Sequence, residues 1–258
     1  MSNLMIITVG TSLFHSASWD ERNTGFLDRL GSQADNYKDN WANARIKGDI
    51  GNLYKPDDRK IECPELVLQF KELLTADNAK EYAQYAADYQ EGDEMRYSAE
   101  LATILAYARQ MNPGNWKQYL SDYEIVFVID EDENNPSHIA AVHNAACLAK
   151  IAGLDDKKIS AQKISYLSSI EPDKLKSALL DFQKYIHDEK EANQKTKKYQ
   201  TIDLIVSGGY KIYGFVSFRE ISADTQLIYM HEAASKIFIH QPNAIIADGV
   251  AINLDNLV

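Results

Sequence analysis

With 258 residues and 45% apolar content, the chain is long enough for one large domain or two small ones with a well-buried core, so no disulfide scaffold is needed. The 27 Lys and Arg set against 38 Asp and Glu give a net charge of −11, and so acidic a surface repels long nucleic-acid polymers while leaving room for a short anionic ligand held by local donors. Cys63 and Cys147 are far apart and outside any C-x-x-C spacing, which argues against zinc and redox motifs and reads as two ordinary buried or half-buried thiols.

The apolar run Leu4 to Val9 lacks the basic flank and the length of a signal peptide, and no run of about eighteen apolar residues follows, so a cytoplasmic protein without a membrane span is expected. That first run is partly β-branched and is stopped by Gly10, as a strand buried on both faces would be. From about Asp20 to Lys60 the chain is polar and rich in Asn, Asp and Gly, which reads as one short helix and an irregular insertion. Leu66, Val67, Phe70, Leu73 and Leu74 recur at helical spacing behind Pro64, and a second helix spans Ser98 to Met111 through Leu101, Ile104, Leu105 and Ala108.

Tyr123 to Ile129 is the clearest strand, and it runs into the acidic turn Asp130-Glu131-Asp132-Glu133. An alanine-rich helix from Pro136 to Ala152, closed by Gly153, follows it. Ile159 to Ile164 reads as a further strand interrupted by Gln and Lys, and Pro172 to Glu191 as an amphipathic helix through Leu175, Leu179, Phe182 and Ile186. Asp203 to Ser207 is another buried strand, with Gly208-Gly209 turning into a helix near Tyr210. Gln226 to Met230 and Lys236 to His240 form a closing β-hairpin ended by Pro242, and the lysine-rich stretch Lys190 to Lys198 is a solvated helix end or loop.

Strands alternating with helices predict a doubly wound, mainly parallel α/β sheet in a single domain over residues 1–258. In such sheets ligands sit beyond the carboxyl ends of the strands where the strand order reverses, so the turns after Val9, Ile129 and Ser207 are the candidate sites. Gly10-Thr11-Ser12 offers backbone amides and two hydroxyls to a phosphate, or is an ordinary tight turn; it has neither the dinucleotide fingerprint nor the Walker pattern. Ser207-Gly208-Gly209-Tyr210-Lys211 repeats the logic, and a lysine at a positive helix start is better explained by a bound anion than by chance. His138 and His143 lack the spacing that aligns two ligands on one helix face and read as surface or capping residues, while Asp130 to Glu133 reads as a solvated loop in preference to a cation site. No metal and no cofactor are expected.

On these residues the chain resembles the CARF proteins, the CRISPR-associated Rossmann-fold sensors of cyclic oligoadenylates. Ile6-Ile7-Thr8-Val9-Gly10-Thr11-Ser12-Leu13 is similar to the family's first motif and Val206-Ser207-Gly208-Gly209-Tyr210-Lys211 to its second. Ser98-Ala99-Glu100-Leu101, the strand ending at Ile129-Asp130 and the tail from Ile228 to Pro242 fall in the family's order, although Ser207 stands where relatives often carry threonine and the acidic turn replaces a Ser-Asp-Thr-like one. The resemblance implies a Rossmann-like sheet, cyclic tetra-adenylate as ligand and a homodimer. The chain has no arginine followed by histidine at the HEPN ribonuclease spacing, which leaves two jobs for such a domain. One is a metal-independent ring nuclease that switches off type III CRISPR antiviral signalling, with Ser12 and Lys211 catalytic and Gly10, Thr11, Ser207, Gly208, Gly209 and Tyr210 binding the ligand. The other is a non-catalytic sensor or adaptor; the enzyme is the preferred reading.

Overall fold

A computed structural model describes residues 2–10, 98–132, 136–167, 169, 171–206, 211–231, 236–247 and 250–253. The insertion expected near 20–60, the helix expected from Pro64 and Cys63 lie outside the described residues.

Eight strands make one mixed sheet in the order β3-β2-β1-β4-β5-β6-β7-β8. The first five are β1 (Ser2–Thr8), β2 (Tyr123–Asp130), β3 (Ile159–Ile164), β4 (Tyr199–Val206) and β5 (Thr225–His231). All neighbours among these five run parallel. Then β6 (Lys236–Gln241), β7 (Ala244–Ala247) and β8 (Val250–Asn253) continue it antiparallel. The expected closing hairpin is therefore the first part of a longer meander. Pro242 does not end it, because Pro242 and Asn243 form the turn into β7. The proline there is free of any ladder duty.

Helices cover both faces of the parallel strands. On one side α1 (Ala99–Met111), α2 (Trp116–Ser121) and α3 (Pro136–Ala152) pack Leu101, Ile104, Tyr107, Leu120 and Leu148 against Met5, Ile7, Val9, Ile125 and Phe127. On the other, α4 (Pro172–Thr196) and α5 (Lys211–Arg219) bring Phe182, Ile186 and Tyr213 against Leu4, Ile6, Ile202, Leu204 and Val206. Both parities of β1 are buried, which is why it reads as a continuous apolar run. By contrast β3 is the edge of the sheet, so its Lys163 faces out and the run is interrupted.

Helix ends follow local chemistry. Ser98 caps α1 by accepting from the Leu101 amide at 3.1 Å. Gly153 closes α3 with φ +68°, the left-handed geometry that glycine takes without steric cost. The lysine-rich stretch splits: Lys195, Lys197 and Lys198 are exposed, whereas Lys190 is half-buried and its Nζ donates to the Glu220 carbonyl at 2.7 Å. Among the described residues no helix is long and apolar enough to cross a membrane.

Candidate functional site

The strand order reverses between β1 and β4, which lie side by side and parallel, with Thr8 opposite Val206. The chain therefore leaves β1 after Gly10 and β4 after Val206 at the same end of the sheet. Val9 extends the ladder one step further by donating to the Val128 carbonyl of β2 at 3.1 Å. Of the residues expected at the site, Thr11, Ser12, Ser207, Gly208, Gly209 and Tyr210 lie outside the described residues. Lys211 is the first residue of α5, and its side chain is likewise not described.

Gly10 is tied down from below. Its buried amide donates to Glu100 Oε1 at 2.8 Å. Glu100 sits in the first turn of α1, where a carboxylate also complements the positive helix start. The cap residue Ser98 donates to Asn144 Oδ1 of α3 at 2.8 Å, so the end of β1, the start of α1 and the middle of α3 form one buried polar junction. The Gly10 amide is thus committed to Glu100 and is not available as a donor to a ligand.

Among the described residues, Thr8 Oγ1 and Asn144 Nδ2 at this end are buried without a hydrogen-bond partner. Alternation along β1 puts Thr8 on the same face as Leu4 and Ile6, the face that α5 covers. The first turn of α5 is held firmly. Tyr213 donates to the Leu167 carbonyl at 2.7 Å and meets the Phe182 ring edge-on at 5.2 Å. A Cβ on Gly214 would meet Val206 Cγ1 at 3.8 Å, so the helix lies close over the end of β4.

The acidic turn differs in part from the solvated loop expected of it. Glu131 and Asp132 are exposed, but Asp130 is buried at the end of β2, where its amide donates to Ser137 Oγ at 3.1 Å and its Oδ1 accepts from the Asp132 amide at 3.0 Å. The carboxylate thus holds the backbone of Asp132 against the end of β2. Among the described residues no group of three or more His, Cys, Asp or Glu is arranged to hold a metal ion. His138 and His143 both fall on α3, with side chains outside the described residues. Cys147 is buried in the core, and burial pushes its thiol up to about 12. A thiol held neutral in this way is a packing group.

A second polar cluster lies toward the other end of the sheet. Asp203, opposite Met5 on β4, is fully buried. Its Oδ2 accepts from Tyr107 at 2.8 Å and Tyr123 at 2.6 Å, and its Oδ1 accepts from Gln226 Nε2 at 2.9 Å. Tyr119 closes the circle, 3.1 Å from the Tyr107 hydroxyl and 2.7 Å from that of Tyr123. Desolvation raises the Asp203 pKa above its ordinary value against the lowering effect of these donors, and burial raises all three tyrosines.

Neither Glu100 nor the Asp203 cluster was singled out in the sequence. The available signal was periodicity: Glu100 stands four residues before Ile104 on the inward side of α1, where an acid must have a buried partner. Compared with known proteins, the chain matches no family model and no curated protein.

Proposed function

We propose that the chain is a CARF-like, single-domain ring nuclease that binds cyclic tetra-adenylate and opens it, with the ring lying across the two-fold axis of a homodimer. The observation that carries this reading is the pairing of Thr8 with Val206, because it ends two adjacent parallel strands side by side at the reversal of strand order, and the glycine-containing segments Gly10-Thr11-Ser12 and Ser207-Gly208-Gly209 follow those ends in the sequence. The order 3-2-1-4-5 of the parallel strands is compatible with a Rossmann-like sheet. Helix α5 beginning at Lys211 adds a helix start at the same end, where a phosphate is stabilised.

In the reaction a ribose 2′-hydroxyl attacks the adjacent phosphorus in line, and the bond from phosphorus to the 5′-oxygen breaks. The product is a 2′,3′-cyclic phosphate; the proton lost by the 2′-hydroxyl is balanced by the one gained at the 5′-oxygen. The substrate carries its own nucleophile, so the protein supplies geometry and charge. Lys211 neutralises the developing phosphorane. Ser12 hydrogen-bonds a phosphate oxygen or orients the 2′-hydroxyl, and the amides of Thr11 and Gly209 complete the cradle. Tyr210 stacks on an adenine or packs under α5.

The test is incubation of the purified protein with radiolabelled cyclic tetra-adenylate in the presence of a chelator. Linear products are expected, with cleavage lost and binding kept in Lys211→Ala. Tight binding without cleavage by the parent protein would move the assignment to the sensor or adaptor, and absence of both binding and cleavage would end it.

A further inference from the structure

We propose that Tyr166, in the turn after β3, is a platform on which a purine base of the bound nucleotide stacks. The inference rests on the proposed reading of the crevice beyond β1 and β4 as a nucleotide site, and it adds to that site a place for a base.

Among the described residues, two that are not glycine have a positive φ. Lys197, at +53°, closes α4, where its amide donates to the Asn193 carbonyl at 2.7 Å and the left-handed conformation is an ordinary way to end a helix. Tyr166, at +61°, ends no helix. A Cβ in that region crowds the following carbonyl oxygen, and glycine or asparagine would hold the same turn at less cost than a bulky aromatic residue. Burial does not offset the strain, since Tyr166 is 50% exposed while its neighbour Leu167 goes into the core. Strain that the surrounding structure enforces in this way collects at ligand sites.

The surroundings hold Tyr166 from both sides. Before it, the Glu131 amide donates to the Ile164 carbonyl at 3.0 Å and Ser165 Oγ donates to the Glu131 carboxylate, which ties the ends of β2 and β3 together. After it, the Ser169 amide donates to the Tyr166 carbonyl at 3.0 Å, and the Leu167 carbonyl accepts from Tyr213, in the first turn of α5, at 2.7 Å. Over the ring lies Lys174 Nζ, 5.5 Å from the centroid and paired with Glu171 Oε1 at 2.7 Å. A cation on one face orients the ring and leaves the second face for a planar partner.

Strand register sets this ring beside the crevice. Thr8 pairs with Val206 and with Val128, and Val128 with Gln162. Strands β2 and β3 therefore run on for two residues, about 7 Å, past the level at which β1 and β4 end. The turn at Tyr166 rises beyond that level, two strand spacings or roughly 10 Å from β1. The Tyr213 bond keeps it next to the start of α5 at Lys211. A nucleotide with its phosphate at that helix start can lay its base over Tyr166. Stacking uses the face of a base and not its hydrogen-bonding edge, so this contact contributes affinity more than discrimination among bases.

The experiment is rapid filter binding of radiolabelled cyclic tetra-adenylate to the full chain in chelator, with urea unfolding as the check on the fold. Tyr166→Ala and Tyr166→Asn should each raise the dissociation constant by about tenfold or more, the loss of one stacked base. Tyr166→Phe keeps the ring and should stay within about twofold of the parent, because stacking needs no hydroxyl. Asparagine suits the left-handed backbone, so Tyr166→Asn should unfold at no lower urea concentration than the parent, which separates lost stacking from a damaged fold. Unchanged affinity in Tyr166→Ala and Tyr166→Asn, or an equal loss in Tyr166→Phe, would overturn the stacking role while leaving ring binding in place. A parent protein that binds no ring would overturn both readings, and that failure is seen before any variant is made.

Discussion

The Gly10 amide and the Glu100 carboxylate, ninety positions apart in the chain, meet at 2.8 Å beneath the end of β1. The bond fixes where the chain leaves β1, because it holds the Gly10 amide and its donor cannot swing toward solvent or ligand.

Glu100→Ala removes the acceptor and leaves the Gly10 donor buried without a partner, a change worth about 1–3 kcal/mol. Glu100→Gln keeps an acceptor of the same length but gives up its charge, so its loss is expected to be about half as large. Urea unfolding of the two variants reads the difference. Equal stability of Glu100→Ala and the parent would show that the anchor contributes nothing.

The ring of oxygens around Asp203 makes a prediction through proton counting. Asp203 Oδ2, Tyr107, Tyr119 and Tyr123 make four oxygen-to-oxygen contacts, but the three phenols bring only three hydrogens. A proton on Asp203 would supply the fourth, with one of its two phenol partners turned to accept from the carboxyl instead of donating to it. This agrees with the raised pKa that burial imposes. A carboxyl raised in the folded state adds stability that is fully present below its ordinary pKa and is lost as pH rises through the folded value. The stability of the parent relative to Asp203→Asn should therefore increase as the pH is lowered from about pH 8 to about pH 4, read by urea unfolding across the series. A difference independent of pH, or one that shrinks in acid, would mean that Asp203 is ionised throughout.

What the sequence disclosed and what it hid divide along contact range. Strands β1 and β2 were legible because each carries a run of apolar, partly β-branched residues, and the interruption of β3 by Gln162 and Lys163 goes with its place at the sheet edge. The ends of β1 and β4 were legible as ends of buried strands, to within a residue at Val9 and Ser207, and the adjacency of these strand ends follows from the parallel pairing. Strands β7 and β8, at four residues each, are too short to show alternation, and Pro242 ahead of them looked like a stop. Glu100 and Asp203 were illegible for another reason. Their partners lie on other elements, and a lone acid in an apolar segment says only that some donor must exist.

A local rule supplies the next test. Gly153 takes φ +68° at the end of α3, with nothing within 4 Å of where a Cβ would stand. Crowding by neighbours is thus removed from the account, and only the backbone cost of the left-handed region remains. Gly153→Ala should destabilise by about 1 kcal/mol, and Gly153→Asn by less, since asparagine tolerates that conformation better. Thermal unfolding of both variants checks the order. If alanine is tolerated as well as asparagine, the turn has another conformation open to it.

Thr8 separates stability from function. Its hydroxyl is buried at the end of β1, on the face that α5 covers, with no partner for its oxygen among the described residues. Leaving a hydroxyl in that state costs about 1–3 kcal/mol, which a valine of nearly the same shape would recover in part. Thr8→Val is therefore expected to unfold at a higher urea concentration than the parent. A residue kept at such a cost is the kind that a bound ligand uses. If the crevice between β1 and β4 holds a phosphate, the same substitution should weaken binding of cyclic tetra-adenylate by about tenfold, the loss of one good hydrogen bond. Measuring both quantities on one variant is decisive: greater stability with weaker binding places Thr8 in the crevice, whereas greater stability with unchanged binding makes its hydroxyl a packing defect and removes it from the ligand's surroundings.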